Sequence, residues 1–327
     1  MILALFSGQS AKNDLFGAEG SYELKEKRLL TFTFPDVDKY PVITALVFSG
    51  SGDKIITGGD DCGCAVWNVR SGELLKHFKA DEDWIRGLDI SPDGSRLATL
   101  GQNGTIKIWN NTDYSLEKTF DIKVPGGRSV VYSPNGKILA VGGSEAAVYL
   151  FDSQSGQLIT KWDAPSPFLR SIVFSPDGTL LAAAGRNGIV RIWDTKAGKR
   201  LFDLRHGSRR VNALAFNPES STIAAGGEDN VLSVWNTVNG ENIKRIPVDA
   251  GLIYSLIFCG NGRIATGDSL NVVRIWDLNK GKEIAYAAGH TGTVAVLRFD
   301  PLKNELASGS FDTTVRYWDL EKALNNK

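Results

Sequence analysis

Residues 174–194 read Phe174-Ser-Pro-Asp-Gly-Thr-Leu-Leu-Ala-Ala-Ala-Gly-Arg-Asn-Gly-Ile-Val-Arg-Ile-Trp-Asp194. Pro176 presets φ for the first central position of a type I turn, Asp177 tolerates the second, and Gly178 relieves the exit. The apolar run Leu180-Leu-Ala-Ala-Ala184 leads to a second turn, Gly185-Arg-Asn-Gly188. Ile189-Val-Arg-Ile-Trp193 then places Val190 and Ile192 on one face of a strand and Ile189, Arg191 and Trp193 on the other. Short runs joined by Gly- and Asn-bearing turns are hairpins. Residues 169–174 form an alternating run upstream, and Lys199-Arg-Leu-Phe-Asp203 is a further strand downstream.

The unit repeats. An aromatic residue followed by Asp or Asn recurs as Trp67-Asn68, Trp109-Asn110, Phe151-Asp152, Trp193-Asp194, Trp235-Asn236, Trp276-Asp277 and Trp318-Asp319, at intervals of 42, 42, 42, 42, 41 and 42 residues. The turn keeps the same beat, strongly at Ile90-Ser-Pro-Asp-Gly94 and Tyr132-Ser-Pro-Asn-Gly136, more weakly at Phe48-Ser-Gly-Ser-Gly52, Phe216-Asn-Pro-Glu-Ser220, Phe258-Cys-Gly-Asn-Gly262 and Phe299-Asp-Pro-Leu-Lys303. A period of about 40–45 residues ending in Trp-Asp marks a four-stranded propeller blade. The sequence therefore predicts an all-β fold, a single seven-bladed β-propeller of four-stranded antiparallel blades over residues 1–327. Each sheet is apolar on both faces and must be sandwiched by neighbours. No complete outer strand follows Asp319, but 27–34 resembles the outer strand Gly72-Glu-Leu-Leu-Lys-His-Phe78, so it is expected to complete the last blade. Residues 1–26 form an extension without an assigned role. Within it Met1–Phe6 resembles a third strand, either an added edge strand or the stub of a repeat from a longer chain. A helical period is discernible only near Leu320–Asn326.

Composition narrows the function classes. Hydrophobic residues make up 42% and charged residues 23%, ordinary for a soluble globular protein. Lys plus Arg (37) balances Asp plus Glu (37), which argues against bulk nucleic-acid binding. Three cysteines, Cys62, Cys64 and Cys259, give no disulfide framework and fit a reducing compartment, so the expected location is cytoplasmic. Cys62-Gly-Cys64 reads as two small half-buried residues; histidines occur only at 77, 206 and 290, and no metal site is expected. No stretch reaches the roughly 20 apolar residues of a membrane span. No oligomeric state is assigned.

These repeats resemble the WD-repeat (WD40) family over about residues 27–319. The resemblance implies a rigid scaffold for protein complexes, with blades locked by a His–Ser/Thr–Asp–Trp tetrad. The last blade carries it as His290, Ser308, Asp312 and Trp318. Elsewhere it decays: Thr57 and Asp61 with Lys39 at the His position, Thr99 and Asn103 with Asp81, Ala183 and Asn187 with Pro165, while His206 lies one residue off. Blades lacking the tetrad are expected to rely more on apolar packing.

No catalytic constellation emerges: no Gly-x-Ser-x-Gly, no phosphate loop, no His-Glu-x-x-His. The sequence predicts no enzyme and no cofactor. The resemblance implies instead that residues at fixed offsets from each Trp line the top face. At 23 before, the series is Thr44, Arg86, Arg128, Arg170, Asn212, Tyr254 (one-residue correction) and Ala295. The other offsets add Trp84, Phe168, Arg210 and Leu252, then Asp60, Arg186, Glu228 and Phe311. Three arginines in register beside exposed aromatics suit a binding face, since Arg and Trp dominate hot spots. The expected partner is another protein or peptide, acidic or phosphorylated, held by Trp84, Arg86, Arg128, Phe168, Arg170, Arg186, Arg210 and Tyr254. Alternatives are an enzyme or small-molecule binder at the channel mouth, or a sensor domain of a larger protein.

Overall fold

The computed structural model describes residues 17–31, 41–49, 52–249, 251–260 and 262–325. Met1–Phe6, Lys39, the end of the expected 27–34 strand, Gly50 and Ser51 of the first turn, and Asn261 of the sixth lie outside the described residues. The sheets follow the repeat. From inner to outer strand, blade 4 comprises Ser171–Phe174, Leu180–Ala184, Ile189–Asp194 and Lys199–Arg205, each antiparallel to the next. Its inner strand begins at Ser171 because the Leu169 N–H bonds Gly143 of blade 3 instead of its own sheet. The other inner strands, in blade order, are Ile43–Phe48, Ile85–Ile90, Ser129–Tyr132, Val211–Phe216, Ile253–Phe258 and Val294–Asp300. A short helix, Glu321–Asn325, follows the last blade.

Each face of a blade is buried against a neighbour. Seven apolar clusters fill the seven blade interfaces; between blades 1 and 2, for example, Val47, Ile56 and Val66 meet Ile85, Leu97 and Trp109. In five of the seven blades close approach needs glycine nine residues before the aromatic marker; Leu100 and Ala184 stand there in blades 2 and 4. A Cβ on Gly58 would stand 2.4 Å from Ile85 Cγ2, and one on Gly142 2.5 Å from Ile172 Cδ1. Polar side chains on the inner strands stitch successive blades. The Tyr132 N–H donates to Asp89 (2.7 Å), the Leu214 N–H to Ser171 (3.2 Å), Asn212 to the Ile253 carbonyl (2.9 Å) and Ser255 to the Val294 carbonyl (3.1 Å).

The N-terminal segment closes the ring. Glu26–Thr31 pairs antiparallel with Thr314–Asp319 as the outer strand of blade 7, with Leu30 opposite Val315 and buried beside Ile43 of blade 1. Glu26 pairs with Arg316, and the Arg28 guanidinium lies 4.0 Å from the centre of the Tyr317 ring. Part of the extension also acquires a role. Tyr22–Glu23 adds to blade 6 as a parallel fifth strand, opposite Ala285 and Tyr286. The Ala18 N–H donates to Glu283, which itself holds the buried Arg274 at 2.9 Å, and Arg274 reaches Asp268 at 2.8 Å.

Beneath the packing runs a polar lock. The indole N–H of Trp67, Trp109, Trp276 and Trp318 donates to Thr57, Thr99, Thr266 and Ser308, ten residues earlier, at 2.9, 3.1, 2.8 and 2.8 Å. In blade 7 the chain continues from Ser308 to His290 Nε2 (2.8 Å) and from His290 Nδ1 to Asp312 (2.9 Å). Because the Asp312 carboxylate can only accept, Nδ1 is the donor in that bond. Burial alone would raise the Asp312 carboxyl; hydrogen bonds from His290, Thr314 and the Thr291 N–H outweigh it and hold it well below the usual carboxylate range.

Blades without the tetrad keep other polar pairs beside their apolar packing. In blade 2 Asn103 donates to Asp81 (2.8 Å), and in blade 1 His77, from the outer strand, meets Asp61 at 2.9 Å. In blade 4 Asn187 donates to the Pro165 carbonyl at 2.8 Å. His206, one residue out of register, is buried against Trp235 and bonds Ser233 at 3.0 Å, because blade 5 has Ala225 where the hydroxyl would stand. Cys64 is fully buried, while Cys62 is partly exposed with φ 64°.

Deleting residues 1–34 is expected to open blade 7 and leave an unpaired edge, a template for aggregation; size-exclusion chromatography would show oligomers in place of the wild-type profile. His290→Ala should lower unfolding free energy by about 1–3 kcal/mol, read from urea denaturation, through loss of a partner in a buried network. Burial pushes the His206 imidazole down to about 4, so it stays neutral in the fold. The unfolded chain, with a histidine pKa of about 6.5, takes up a proton that the fold refuses. Stability from this group is full above about pH 6.5 and is lost as pH falls toward 4. His206→Gln should therefore flatten the fall in urea midpoint between pH 7 and pH 5.

Candidate functional site at the channel mouth

The 42-residue beat brings one residue from each blade to the same height around the axis. Thr44, Arg86, Arg128, Arg170, Asn212, Tyr254 and Ala295, joined by Phe311, line one cavity of about 180 Å³. The three arginines thus share a wall, as their spacing implied. They are half-buried and not fully in solvent.

Their partners differ. Arg86 donates through Nε and Nη2 to Gln102 (2.9 and 2.5 Å) and stacks 4.7 Å from the Trp84 ring centre. Arg210 is compensated by Glu228 at 3.2 Å. Arg128 and Arg170 make no side-chain hydrogen bond or ion pair with any described residue. Burial first, and neighbouring guanidiniums second, hold all three below the usual arginine value: Arg170 acts on Arg86, Arg86 and Arg210 on Arg128, Arg128 and Arg210 on Arg170. Asp83 and Asp60 partly offset this at Arg86, and Tyr254 and Glu228 at Arg170.

The aromatic residues stand above the ring. Trp84 and Phe168 are both 42% exposed, Arg186 lies 5.8 Å from the Phe168 ring centre, and Tyr254 is half-buried in the wall. Phe168 has φ 56°, a left-handed conformation that costs a bulky residue of order 1–3 kcal/mol. Strain of this kind persists only where the surroundings impose it. Here the Phe168 N–H bonds the Ser144 carbonyl and the next residue bonds Gly143.

Three polar residues escaped the sequence reading: Gln102 holds an arginine of the site, whereas Asp89 and Arg298 do not line its cavity. Gln102 sits seven before Trp109, the offset that also yields Asp60 and Glu228, so the register could have found it. Asp89 and Arg298 lie twenty before their Trp, where other blades carry Val, Ala or Ile. Burial pushes the Asp89 carboxyl up to about 6, opposed by the Tyr132 N–H and by Arg298.

Comparison with known proteins follows the repeat. Residues 74–297 match the family described as nucleolar protein 10-like, N-terminal domain, and residues 28–68 and 281–319 match the WD domain, G-beta repeat. A segment of 51 residues is 49% identical to mitochondrial division protein 1 of Neurospora crassa, covering 16% of this chain and 8% of that protein. Over 85 residues the identity to mitochondrial division protein 1 of Aspergillus niger is 32%, covering 26% and 13%. Over 53 residues the identity to the periodic tryptophan protein 2 homolog of Mus musculus is 40%, covering 16% and 6%. The chain thus spans no more than 13% of the length of these three relatives.

Like charges gathered in a partly desolvated ring oppose folding. Arg170→Gln should raise the thermal unfolding midpoint in phosphate-free, low-salt buffer, with the gain shrinking as salt rises; differential scanning calorimetry reads both.

Proposed function

Because this chain belongs to the nucleolar protein 10-like family of WD-repeat propellers, we propose that it is a non-catalytic interaction scaffold whose top face captures an acidic or phosphorylated segment of another protein. The carrying observation is the pair Arg128 and Arg170, cationic, half-buried and without a described partner. Guanidinium groups bind carboxylate or phosphate through two parallel N–H bonds. Trp84, Phe168 and Tyr254 provide apolar anchors around that charge, while Arg86, Arg186 and Arg210 extend the positive field. The histidines serve other ends: His290 and His206 are buried in structural contacts and His77 is held by Asp61.

The names of the relatives, one for organelle division and one for its tryptophan periodicity, denote no reaction, which agrees with a scaffold role. We propose a cytoplasmic location: the three cysteines are free and suit a reducing compartment, a condition the nucleus meets equally. The finer reading has a direct test. A fluorescent acidic peptide should bind with an affinity that falls as salt rises. The Arg86→Glu/Arg128→Glu/Arg170→Glu protein should retain its circular dichroism spectrum and lose the binding. Salt-independent binding, unchanged in the triple variant, would refute the top-face assignment.

A further inference from the structure

Resting on the top-face reading, we infer that the channel mouth takes one phosphoryl group of a phosphate monoester, inserted end-on, and not a run of carboxylates laid across the rim. Charge density is the first reason. Arg86, Arg128 and Arg170 line one cavity whose open part admits water-sized groups throughout about 180 Å³. A phosphoryl group brings a charge of about −1.5 to −2 on three acceptor oxygens into that space. A single carboxylate brings half as much.

The placement of charge is the second reason. Arg86, Arg128 and Arg170 come from three successive blades and face one volume, so their donors converge on a compact multivalent acceptor. Two of the three have no described partner to surrender. No described carboxylate lines that cavity: Asp60 and Asp83 act on Arg86 from outside it, and Glu228, bound to Arg210, only partly offsets the charge around Arg170. An extended acidic stretch crossing the rim would pass over those acids within a Debye length of about 8 Å. A single group on the axis meets the cations of blades 2 to 4 first. Trp84 and Phe168, exposed above the ring, then receive whatever carries the phosphate.

The phosphorylated side chain of a partner and a free small phosphate ester share this chemistry. The test is titration calorimetry on the intact chain at constant ionic strength. Four probes are used: a phosphoserine peptide, the same peptide with Glu-Glu in place of phosphoserine, phenyl phosphate and inorganic phosphate. The expected result is that the phosphopeptide binds about tenfold or more tightly than the Glu-Glu peptide and is displaced by phenyl phosphate. Binding should vanish in Arg128→Gln/Arg170→Gln. It should weaken strongly in Arg128→Lys/Arg170→Lys, which keeps the charge and loses the bidentate donors. A phosphopeptide tighter than phenyl phosphate supports the site with a protein side chain as the source; equal affinities support it with a free ester. Equal binding of the Glu-Glu peptide, undisplaced by phenyl phosphate, would overturn the phosphoryl assignment while sparing the acidic-segment reading. Wild-type affinity in the Gln variant would overturn the placement at the mouth, and no binding of any probe would overturn both readings.

Discussion

A sheet that is apolar on both faces has no stable existence alone, and every feature of this molecule follows from satisfying that constraint seven times. Burying one blade requires the next, and the last must meet the first. The ring therefore closes only if blade 7 has its fourth strand, and that strand comes from the opposite end of the chain. Glu26–Thr31 supplies it and sets Leu30 against Ile43, so one segment joins the beginning and end of the repeat array. Loop-closure entropy is the cost of pairing residues so distant in sequence. Seven buried interfaces offset it.

The same closure gathers unremarkable positions into one cavity. A residue at the start of an inner strand is, within its own blade, merely the edge of a hairpin. Around the axis it has six equivalents, and three consecutive arginines become a single charged wall. Such a wall is unfavourable for folding, as is the left-handed Phe168 beside it. A rigid, fully packed ring tolerates both because its stability lies elsewhere, in the blade interfaces and the indole-to-hydroxyl bonds.

The polar locks show how a repeat tolerates drift. Blade 7 keeps the full relay from Trp318 to Asp312, whereas blade 2 bonds Asp81 to Asn103 and blade 5 turns His206 onto Ser233. In each case the group makes at least one hydrogen bond, although Asp81 Oδ2 and His206 Nε2 stay without one, since a wholly unpaired buried group costs more than a changed identity. Residue type at a lock position is therefore a poorer guide to the blade's integrity than the presence of some complementary pair.

By itself the sequence determined the architecture, since the Trp-Asp beat and the Ser-Pro-Asp-Gly turns are local signals whose period counts the blades. It also placed the arginines in register, because equivalence between blades is a matter of spacing. Only the tertiary structure decided that Gln102 holds Arg86, that Glu228 neutralises Arg210, and that Arg128 and Arg170 remain without a described partner. It likewise decided that Tyr22–Glu23 lies along blade 6, where neither period nor turn chemistry announces a strand of two residues. The reason is physical. Strands and turns are dictated by neighbours in the chain, whereas side-chain partnership depends on reach and direction across blades, which exist only once the ring has closed.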